Sequence, residues 1–586
     1  MDRRSFVAAL ALVAFAGLLG CSDSSQSGMP PTEYPGGTWS PPEPTFGTLL
    51  ETDVEIPVSD GVVLVGDVNY PADLETGARA DGSFPVLLTQ NPYGGTVAAS
   101  AGSFFVTRGY IFAGIDVRGT SRSGGGMQEF LFTPRAADDG AELVQWATTL
   151  DGANGDVGLW GCSFLGINQL ETATRLGPDS PVKAMIPECL SGDSYRDTLY
   201  DNGIPGPTAT VWPGTWPDAV AGGDFGFYRD YWRAQDRVAR APDIAATGIP
   251  ALLWAGWREG GSVGALELYS ALQNLHAGRS ATAPMSADQP ITGRYQVILG
   301  DWTHAGGLDR GIELQWYDTW IKGIDTGLPT GTRTPLHLQE LGSGRWINAS
   351  AYPIVDAYTQ LFLTPSGTLS PSAGPTGEDS LTWVPPEEAS GSLDYVSEPF
   401  VDGAMLAGPI AVQLEISSSN TNAQLLTELL DVDPDGTTVG ISHASVLGSR
   451  RALDPAKSWV DQNDLSIRPY LALDADDPLV PGELTRLDVP LQPTVWSIEP
   501  GHRLMLRVST RPRPEDCIFE IGRPPWGCHL TQPMLETLPG GVYTIHYGGT
   551  PGSALRLPLL AHGDLPTARS IMPPTAQGEA TLPGDW

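Results

Sequence analysis

The sequence predicts an α/β domain built on a parallel sheet, interrupted by an inserted segment and followed by an antiparallel β-sandwich. The chain has 586 residues, 41% of them apolar, which is enough for more than one hydrophobic core. Its 70 glycines and 52 prolines favour many short strands and turns over long helices. The hydrophobic pattern changes from continuous apolar runs to alternation near residue 334, so we predict the domain boundary there.

The chain is strongly acidic. It carries 33 Lys and Arg against 68 Asp and Glu, for a formal net charge of -35. An excess of negative charge of this size repels the phosphate backbones of nucleic acids. We therefore expect no nucleic acid partner.

The N-terminus has the features of an export signal. Arg3 and Arg4 precede an apolar run at residues 6–19, which has the length of a signal-peptide core and is too short to span a bilayer. The run ends in Leu-Leu-Gly-Cys at residues 18–21, which is similar to the lipobox of bacterial lipoproteins. We expect residues 1–20 to be a lipoprotein signal peptide and Cys21 to carry the lipid. An ordinary signal peptide is the alternative, and the arginine pair leaves both general secretion and twin-arginine export open.

A lipoprotein of this kind is exported and anchored at the bacterial cell envelope, on the periplasmic or the outer side. Residues 21–46 are rich in Ser, Pro, Gly and Thr, a composition that buries too little apolar surface to fold, so we predict a flexible tether. No later segment approaches 18 consecutive apolar residues. The N-terminal lipid is therefore the only membrane attachment that we expect.

Residues 47–334 alternate apolar runs of strand length with helical segments. The predicted strands lie at residues 85–89, 110–115, 157–160, 182–186, 250–255 and 295–299. These runs are continuous, as is typical of strands covered on both faces. The predicted helices lie at residues 137–148, 165–176 and 264–275. The alternation is the signature of βαβ units in a parallel sheet.

An aromatic-rich insertion at about residues 190–247 interrupts this pattern. Its large rings are Trp212, Trp216, Tyr228, Tyr231 and Trp232. One interpretation is a cap over the carboxyl edge of the sheet. The alternative is a subdomain in which the aromatic residues pack against one another.

Residues 335–586 have the two-residue period of strands with one solvent-exposed face. Val412, Leu414 and Ile416 alternate with polar residues, and turn clusters such as residues 433–436 separate runs of this kind. The pattern predicts an antiparallel β-sandwich, or jelly roll.

The candidate nucleophile is Ser163, in the segment Gly-Cys-Ser-Phe-Leu-Gly at residues 161–166. The segment follows a predicted strand and begins a predicted helix, and a sharp turn of this kind exposes a serine for attack. Gly161 and Gly166 supply the small residues that the turn needs. A G-x-S-x-x-G pattern is weak by itself, and its position between strand and helix is what indicates nucleophilic catalysis.

A serine nucleophile needs a histidine base. Within the α/β region the histidines are His276 and His304. His304 follows the predicted strand at residues 295–299, where the carboxyl edge of the sheet would present it to Ser163. His276 ends a predicted helix, where a histidine interacts favourably with the helix dipole. We therefore favour His304.

The base needs a carboxylate that orients it. Glu259 follows the predicted strand at residues 250–255 and would emerge at the same edge as His304. The alternative is a surface glutamate paired with Arg258. The order Ser163, Glu259, His304 is the nucleophile, acid and base order of the α/β-hydrolases.

These segments resemble the family that contains cocaine esterase, the X-prolyl dipeptidyl-peptidases, the glutaryl acylases and the α-amino acid ester hydrolases. The matching motifs are Asn-Pro-Tyr at residues 91–93, Asp-Val-Arg-Gly at 116–119, the serine segment at 161–166, Ala-Gly-Trp-Arg-Glu-Gly at 255–260, Gly-Asp-Trp-Thr-His at 300–304 and Pro-Gly-His-Arg at 500–503. They span nearly all of the chain after the leader. The chain departs from the family at Phe164, where the family has tyrosine, and at Glu259, where it has aspartate.

The resemblance implies an α/β-hydrolase domain with an inserted cap and a C-terminal jelly roll. It also implies that an ester or amide bond of a small molecule or peptide is cleaved through an acyl-enzyme on Ser163, with His304 as base and Glu259 as acid. The Tyr93 hydroxyl and the Phe164 backbone N–H would form the oxyanion hole. No cofactor is expected.

Two other functions are open. An X-prolyl dipeptidyl-peptidase needs a negative site for a free amino terminus, and Glu188 and Asp193 are candidates for it. The second alternative is a catalytically inert surface lipoprotein that binds carbohydrate or protein. The glutamate in place of the family's aspartate favours this alternative, whereas the intact Ser163, His304 and Tyr93 oppose it.

Four cysteines follow Cys21. Cys517 and Cys528 are close enough in sequence to form a small disulfide loop in an exported protein, and Cys162 and Cys189 flank the candidate nucleophile. Free thiols are an equal alternative for both pairs.

The sequence has no convincing metal-binding motif. Residues 431–436 imitate the start of a calcium loop, but Ser442 stands where such a loop has its glutamate ligand. A hairpin turn is the favoured interpretation. We expect no metal site.

Overall fold

The computed structural model describes residues 32–34, 37–126, 134–211, 215–328, 330–383, 391–510, 512, 514–518, 524–548, 552–562, 564 and 567–568. Cys21, Trp212 and the predicted signal peptide lie outside these residues. No helix in the described ranges combines the length and the apolar character needed to cross a membrane.

The strands are labelled in chain order. The N-terminal set is β1 (Thr32–Tyr34), β2 (Gly37–Trp39), β3 (Gly47–Pro57), β4 (Val63–Ala72), β5 (Phe84–Asn91), β6 (Ile111–Asp116), β7 (Ala153–Cys162), β8 (Val182–Glu188), β9 (Tyr200–Asp201), β10 (Ile204–Pro205), β11 (Ala251–Gly256), β12 (Tyr295–Gly300), β13 (Leu336–Gln339) and β14 (Trp346–Ala349). The C-terminal set is β15 (Thr359–Thr364), β16 (Thr368–Ser370), β17 (Gly377–Trp383), β18 (Ser392–Val396), β19 (Ala404–Ser418), β20 (Gln424–Val432), β21 (Thr438–Leu447), β22 (Trp459–Val460), β23 (Ser466–Arg468), β24 (Thr485–Ile498), β25 (Arg503–Ser509), β26 (Gly541–Tyr547), β27 (Ala554–Leu557), β28 (Leu559–Leu560) and β29 (Thr567–Ala568).

The helices of the described residues are short, apart from four of 10 to 16 residues in the α/β region. They are α1 (Ser103–Val106), α2 (Pro134–Ala147), α3 (Phe164–Ala173), α4 (Pro207–Val211), α5 (Thr215–Val220), α6 (Asp230–Arg233), α7 (Ala241–Thr247), α8 (Gly261–His276), α9 (Arg310–Trp320) and α10 (Gln532–Glu536). A π-helical turn spans Ser194–Leu199, and 3-10 turns span Asp224–Gly226, Gly448–Arg450 and Pro514–Cys517.

The first sheet has eleven strands in the order β29-β14-β13-β12-β11-β8-β7-β5-β6-β4-β3. From β13 to β6 neighbouring strands are parallel, and the outer strands are antiparallel. All six strands expected from the continuous apolar runs are present, and the predicted parallel sheet is confirmed. The strand order reverses around β5, and ligands bind at the carboxyl ends of strands at such a point.

Two short strands, β1 and β2, lie within the segment predicted as a flexible tether. β1 and β2 pair as an antiparallel hairpin. Trp39 packs against the apolar cluster that contains Phe105 and Trp316, and Arg108 Nε donates to the Pro42 carbonyl at 2.9 Å. Trp39 supplies apolar surface that the surrounding Ser, Gly and Pro residues lack.

Two strands that follow the boundary predicted after residue 334 pair with the first sheet. β13 is parallel to β12, and β14 is antiparallel to β13. The four residues Leu336, His337, Leu338 and Gln339 alternate in polarity like a strand with one wet face, yet all are buried. The polar side chains find hydrogen-bond partners within the protein, as His337 Nδ1 does with Asn348 Oδ1 at 2.8 Å.

The second sheet has twelve strands, and its pairs are antiparallel except for β16 with β18. The long strand β19 pairs with β24 along one edge and with β28, β27 and β26 in turn along the other. Its inward residues Val412, Leu414 and Ile416 are fully buried. The predicted β-sandwich is confirmed, and it begins after Ala349.

The insertion packs its aromatic residues against one another. Tyr195 and Tyr200 stack with ring centroids 4.1 Å apart, and the fully buried Trp232 meets both rings edge-on. Tyr228 adds a further edge contact to Tyr195. The aromatic pattern therefore forms the insertion's own core, as the second interpretation predicts.

The insertion also bridges the two sheets. A Cβ at Gly260, after β11, would lie 1.8 Å from the carbonyl oxygen of Asp197 in the insertion. On the other side Arg450 of the sandwich, 3% exposed, donates from Nη1 to the carbonyls of Gly203 and Gly226 at 2.5 and 2.8 Å. The insertion thus contacts both a loop at the carboxyl edge of the first sheet and the sandwich.

Candidate active site

Ser163 lies at the turn between β7 and α3. Its φ and ψ of 64° and -127° fall outside the regions that L-residues usually adopt. Backbone hydrogen bonds hold this conformation, because the Ser163 N–H donates to Glu188 O at 2.9 Å and the Ile167 N–H donates to Ser163 O at 2.8 Å. A turn of this shape exposes the serine side chain at the carboxyl edge of the sheet.

Gly166 allows α3 to begin against β8. A Cβ at this position would lie 2.1 Å from the carbonyl oxygen of Glu188, which is closer than such atoms can approach. A larger residue would push α3 away from β8 and move Ser163. This close approach explains the last glycine of the serine segment.

His304 lies in the loop after β12, which Trp302 ties to the loop after β11. The Trp302 indole N–H donates to Ala255 O at 3.1 Å, and the Arg258 N–H donates to Trp302 O at 3.2 Å. The side chains of Arg258 and Asp301 form an ion pair between the same loops. The sequence analysis found His304 but did not find this positioning role of Trp302.

Glu259 is a buried carboxylate in the loop after β11, with 2% of its surface exposed. Its Oε1 accepts a hydrogen bond from the Gly256 N–H at 2.7 Å. Arg258, the partner expected for a surface glutamate, pairs instead with Asp301. Glu259 is therefore directed into the site and is not a surface residue.

The three predicted residues form one continuous line of hydrogen bonds. His304 Nε2 lies 2.9 Å from Ser163 Oγ, and His304 Nδ1 lies 2.7 Å from Glu259 Oε2. With its proton on Nδ1, the ring donates to the carboxylate and leaves Nε2 to accept from the serine hydroxyl. His276, the other histidine of the region, is exposed at the end of α8.

The Tyr93 hydroxyl lies 3.4 Å from Ser163 Oγ and also interacts with the Phe164 backbone N–H. Asn91 holds the tyrosine loop, since its Oδ1 accepts from the Tyr93 N–H at 3.1 Å and its Nδ2 donates to Gly94 O at 2.8 Å. Burial raises the pKa of the Tyr93 phenol, so the hydroxyl keeps its proton and remains a donor. The two predicted oxyanion donors are thus beside the nucleophile.

The Asp-Val-Arg-Gly segment at residues 116–119 fixes the loop after β6 through ion pairs. Arg118, 1% exposed, makes two hydrogen bonds of 2.7 Å to Asp139. The Asp116 carboxylate accepts from Arg122 Nε at 2.8 Å. The motif therefore holds the loop after β6 in place.

The residues that imitate a calcium loop belong to the hairpin of β20 and β21. Asp433 Oδ1 accepts from the Asp435 and Thr437 N–H groups at 2.9 and 2.8 Å. Asp431 accepts from Trp496 Nε1 at 2.8 Å, and its other oxygen lies 2.8 Å from Nδ1 of His502 in the Pro-Gly-His-Arg segment. The hairpin interpretation is confirmed.

Both candidate cysteine pairs form disulfides, Cys162–Cys189 and Cys517–Cys528. The first joins the residue before Ser163 to the residue after β8. Cys189 Sγ, a carboxylate oxygen of Glu259 and a ring nitrogen of His304 lie within 4.8 Å of one another. Proximity of this disulfide to His304 could not be found from sequence, since Cys189 and His304 are far apart along the chain.

The two carboxylates considered for an amine site are buried. Glu188 is 0% exposed and Asp193 is 4% exposed. Asp193 caps the turn Ser194–Leu199, accepting from the Tyr195 N–H at 2.9 Å, and pairs with Arg196 at 3.2 Å. Burial and the neighbouring Asp236 raise the pKa of Asp193 to about 7. Neither carboxylate is presented on an open surface.

Two family models match the chain. The one described as X-Pro dipeptidyl-peptidase (S15 family) matches residues 60–220, and the one described as X-Pro dipeptidyl-peptidase C-terminal non-catalytic domain matches residues 330–520. The chain is a serine hydrolase, and both of its domains match models of the S15 family. The first match contains Tyr93 and Ser163, and the second contains most of the sandwich of this chain.

Similar proteins agree with this assignment. A protein of Mycobacterium tuberculosis (strain CDC 1551 / Oshkosh) assigned as a serine esterase is 25% identical over 80% of this chain and 91% of its own length. Cocaine esterase of Rhodococcus sp. (strain MB1 Bresler) is 24% identical over 87% of this chain and 98% of its own length.

Solved structures show the same fold. A CocE/NonD family hydrolase from Staphylococcus aureus has a TM-score of 0.70 and 20% identity, covering 88% of this chain and 94% of its own. An α-amino acid ester hydrolase has a TM-score of 0.63 and 17% identity, covering 92% of this chain and all of its own, 100%. The two likenesses extend over both the α/β region and the sandwich.

Proposed function

We propose that this serine hydrolase cleaves carboxylic esters through an acyl-enzyme on Ser163, with His304 as the base and Glu259 as the orienting acid. The observation that carries the proposal is the continuous line of hydrogen bonds at 2.9 and 2.7 Å through the imidazole of His304. A serine alcohol is a poor nucleophile at neutral pH, and a base placed in this way activates it.

The reaction follows from the positions of these groups. His304 Nε2 takes the hydroxyl proton while Ser163 Oγ attacks the substrate carbonyl, and the buried Glu259 carboxylate stabilises the resulting imidazolium. The Tyr93 hydroxyl and the Phe164 N–H donate to the oxyanion. His304 then gives its proton to the leaving alcohol, and a water molecule repeats the attack on the acyl-serine to release the acid.

Ester hydrolysis is preferred to dipeptide release for two reasons. The two curated relatives described above are named for esterase activity. A dipeptidyl-peptidase also needs a carboxylate that meets the substrate's amino terminus, whereas Glu188 and Asp193 are buried. X-prolyl dipeptidyl-peptidase activity is the second candidate, because the matching family model carries that description.

A fluorophosphonate probe tests the mechanism and excludes or supports the inert alternative. We expect the probe to label the wild type at Ser163, and the Ser163→Ala variant, as the matched control, to stay unlabelled. The same two proteins are then assayed with p-nitrophenyl acetate and with a dipeptidyl-proline p-nitroanilide. Absence of labelling would overturn the proposal, and turnover of the anilide alone would assign the peptidase activity instead.

We also propose that Cys21 is acylated and that the enzyme acts at the bacterial cell envelope. The support is the sequence of the leader, namely the arginine pair, the apolar run and the Leu-Leu-Gly-Cys segment. The substrate under this proposal is a small molecule or peptide that reaches the envelope.

A further inference from the structure

The Cys162–Cys189 disulfide lies beside the candidate triad. Cys162 directly precedes Ser163, and Cys189 follows Glu188, whose carbonyl accepts the Ser163 N–H at 2.9 Å. The Cys189 N–H donates to Trp254 O at 2.8 Å. The backbone of Cys189 is therefore held in place by a hydrogen bond that does not depend on the sulfur bridge.

The sulfur of Cys189 completes a set of three metal-ligating atoms. It lies within 4.8 Å of both a Glu259 oxygen and a His304 ring nitrogen, and those two atoms are within 4.8 Å of each other. Thiolate, carboxylate and imidazole are the three side-chain types that bind Zn²⁺ in proteins. With Zn–ligand bonds of about 2.0–2.3 Å, tetrahedral ligand atoms lie about 3.5 Å apart. A shift of about 1 Å would bring the set to that spacing, and a cysteine freed from its partner has the side-chain rotation to supply it.

The sulfur is withheld from a metal ion as long as the bridge is intact, because a disulfide sulfur is not a thiolate. Breaking the bridge gives Cys189 a thiol at the wall of the site. Cys189 is 4% exposed, so this thiol would face the Glu259 and His304 side chains more than solvent.

We propose that reduction of the Cys162–Cys189 disulfide turns the active site into a binding site for Zn²⁺ or a similar divalent metal ion, which then stops hydrolysis. The proposal rests on the catalytic roles proposed above for Ser163 and His304. In the disulfide form the same site is protected from the ion.

The chemistry balances with a dithiol reductant. The dithiol supplies two electrons and two protons to the S–S bond, is itself oxidised to a disulfide, and leaves two cysteine thiols. The Cys189 thiol then releases its proton to water as the S–Zn bond forms, while Glu259 and His304 each donate an electron pair and water fills the fourth position. Whichever ring nitrogen of His304 binds the ion, the other carries the proton, so no lone pair is left to accept the proton of Ser163.

Two single variants separate the thiol from the loss of the bridge. Cys162→Ser and Cys189→Ser both lack the disulfide, but only Cys162→Ser keeps a thiol beside Glu259 and His304. Hydrolysis of p-nitrophenyl acetate is measured against ZnCl₂ concentration, with each variant's own rate in EDTA as its reference. We expect half-inhibition of Cys162→Ser at a Zn²⁺ concentration at least 10- to 100-fold lower than for Cys189→Ser or the oxidised wild type.

Equilibrium dialysis against ZnCl₂ provides a readout that does not depend on catalysis. We expect Cys162→Ser to bind one Zn²⁺ ion more per chain than Cys189→Ser. If circular dichroism shows that Cys162→Ser is unfolded, wild type reduced with dithiothreitol and freed of it by anaerobic gel filtration takes its place, with reduced Cys189→Ser as the control.

The outcomes are distinct. Equal Zn²⁺ sensitivity and equal Zn²⁺ binding in the two variants would overturn the metal site. Additional Zn²⁺ bound to Cys162→Ser without loss of turnover would support the site and overturn the proposed role of His304. A wild type that hydrolyses no ester would overturn the proposed function, and the dialysis comparison would still decide the metal site.

Discussion

The backbone N–H of Gly256 donates a 2.7 Å hydrogen bond to Oε1 of Glu259, three residues later in the same loop. This bond fixes the carboxylate and leaves Oε2 free to face His304 at 2.7 Å. Glutamate is one methylene longer than the aspartate of the family's motif. The longer side chain is accommodated because it turns back on its own loop and uses both of its oxygens.

Replacement of this acid tests its role. We expect Glu259→Gln to retain the fold and lower kcat by about 10⁴, because an amide cannot stabilise the imidazolium and favours the wrong tautomer of His304. Glu259→Asp is the matched control, and we expect it to keep more activity than the glutamine variant. Kinetics with p-nitrophenyl acetate decide the matter. Near-normal turnover of Glu259→Gln would show that another group orients the histidine.

Removal of the nucleophile or the base tests the catalytic pair. We expect Ser163→Ala and His304→Ala each to lower kcat by about 10³ to 10⁶, and the double variant to be little worse, because the two groups act as one unit. His276→Ala is the control, since His276 is exposed at the end of α8. Either active-site variant would contradict the assignment by keeping more than about a tenth of the turnover.

Tyr93→Phe removes one proposed oxyanion donor and little else. We expect kcat to fall by about 10² to 10³ while KM and the melting temperature change little, because the hydroxyl acts on the charge that develops in the transition state. Stopped-flow measurement of the acylation step, beside thermal melts, checks this. An unchanged rate of acylation would assign Tyr93 to packing.

Asp201 links the insertion to the sandwich, since its Oδ2 accepts from the Ser445 and Gly527 N–H groups at 2.7 and 3.2 Å. Burial raises the pKa of Asp201 from 3.8 to about 7. The folded protein therefore holds this proton more tightly than the unfolded chain, and the resulting stabilisation is complete below about pH 4 and lost as the pH rises to about 7.

The amide side chain of the Asp201→Asn variant cannot ionise, so the variant does not lose this stability as the pH rises. We expect the stability of the variant relative to wild type to rise by about 2 kcal/mol between pH 5 and pH 8. Denaturant unfolding at the two pH values measures the change, with the exposed Asp288→Asn as control. A difference that does not change with pH would show that the carboxyl is ionised throughout this range.

Cys21→Ser tests the lipid attachment. We expect the variant to appear in the soluble fraction or to remain unprocessed, because lipid transfer requires the thiol. Incorporation of labelled fatty acid into whole cells, followed by fractionation, provides the measurement, with Cys517→Ser as the control for loss of a cysteine. Equal labelling of Cys21→Ser and wild type would refute the lipoprotein proposal.

The strands that could be predicted from the sequence were those buried on both faces. β5, β7 and β11 each contain one of the short apolar runs from which they are predicted. β3 was missed because most of its residues are exposed at the sheet edge. β13 alternates in polarity yet lies in the first sheet, because its polar side chains find hydrogen-bond partners within the protein instead of in solvent.

Some features of the active site can likewise be predicted from the sequence, and others cannot. Ser163, Glu259 and His304 each follow a recognisable strand, and the carboxyl ends of parallel strands meet at one edge, so their convergence was predictable. The Trp302 hydrogen bond to Ala255 and the nearness of Cys189 to His304 depend on how separate loops pack. Nothing local in the sequence encodes contacts of this kind.

Arg450 links the stability of the α/β domain to the presence of the sandwich. Its guanidinium satisfies two carbonyls of the insertion, and the insertion in turn packs against the glycine next to Glu259. Removal of the C-terminal domain would leave these two carbonyls buried without hydrogen-bond donors or would expose them to water. The insertion would then hold the loop that contains Glu259 less firmly. We therefore expect the half that carries every proposed catalytic group to lose activity when it is produced alone, because its geometry depends on a domain that takes no part in the chemistry.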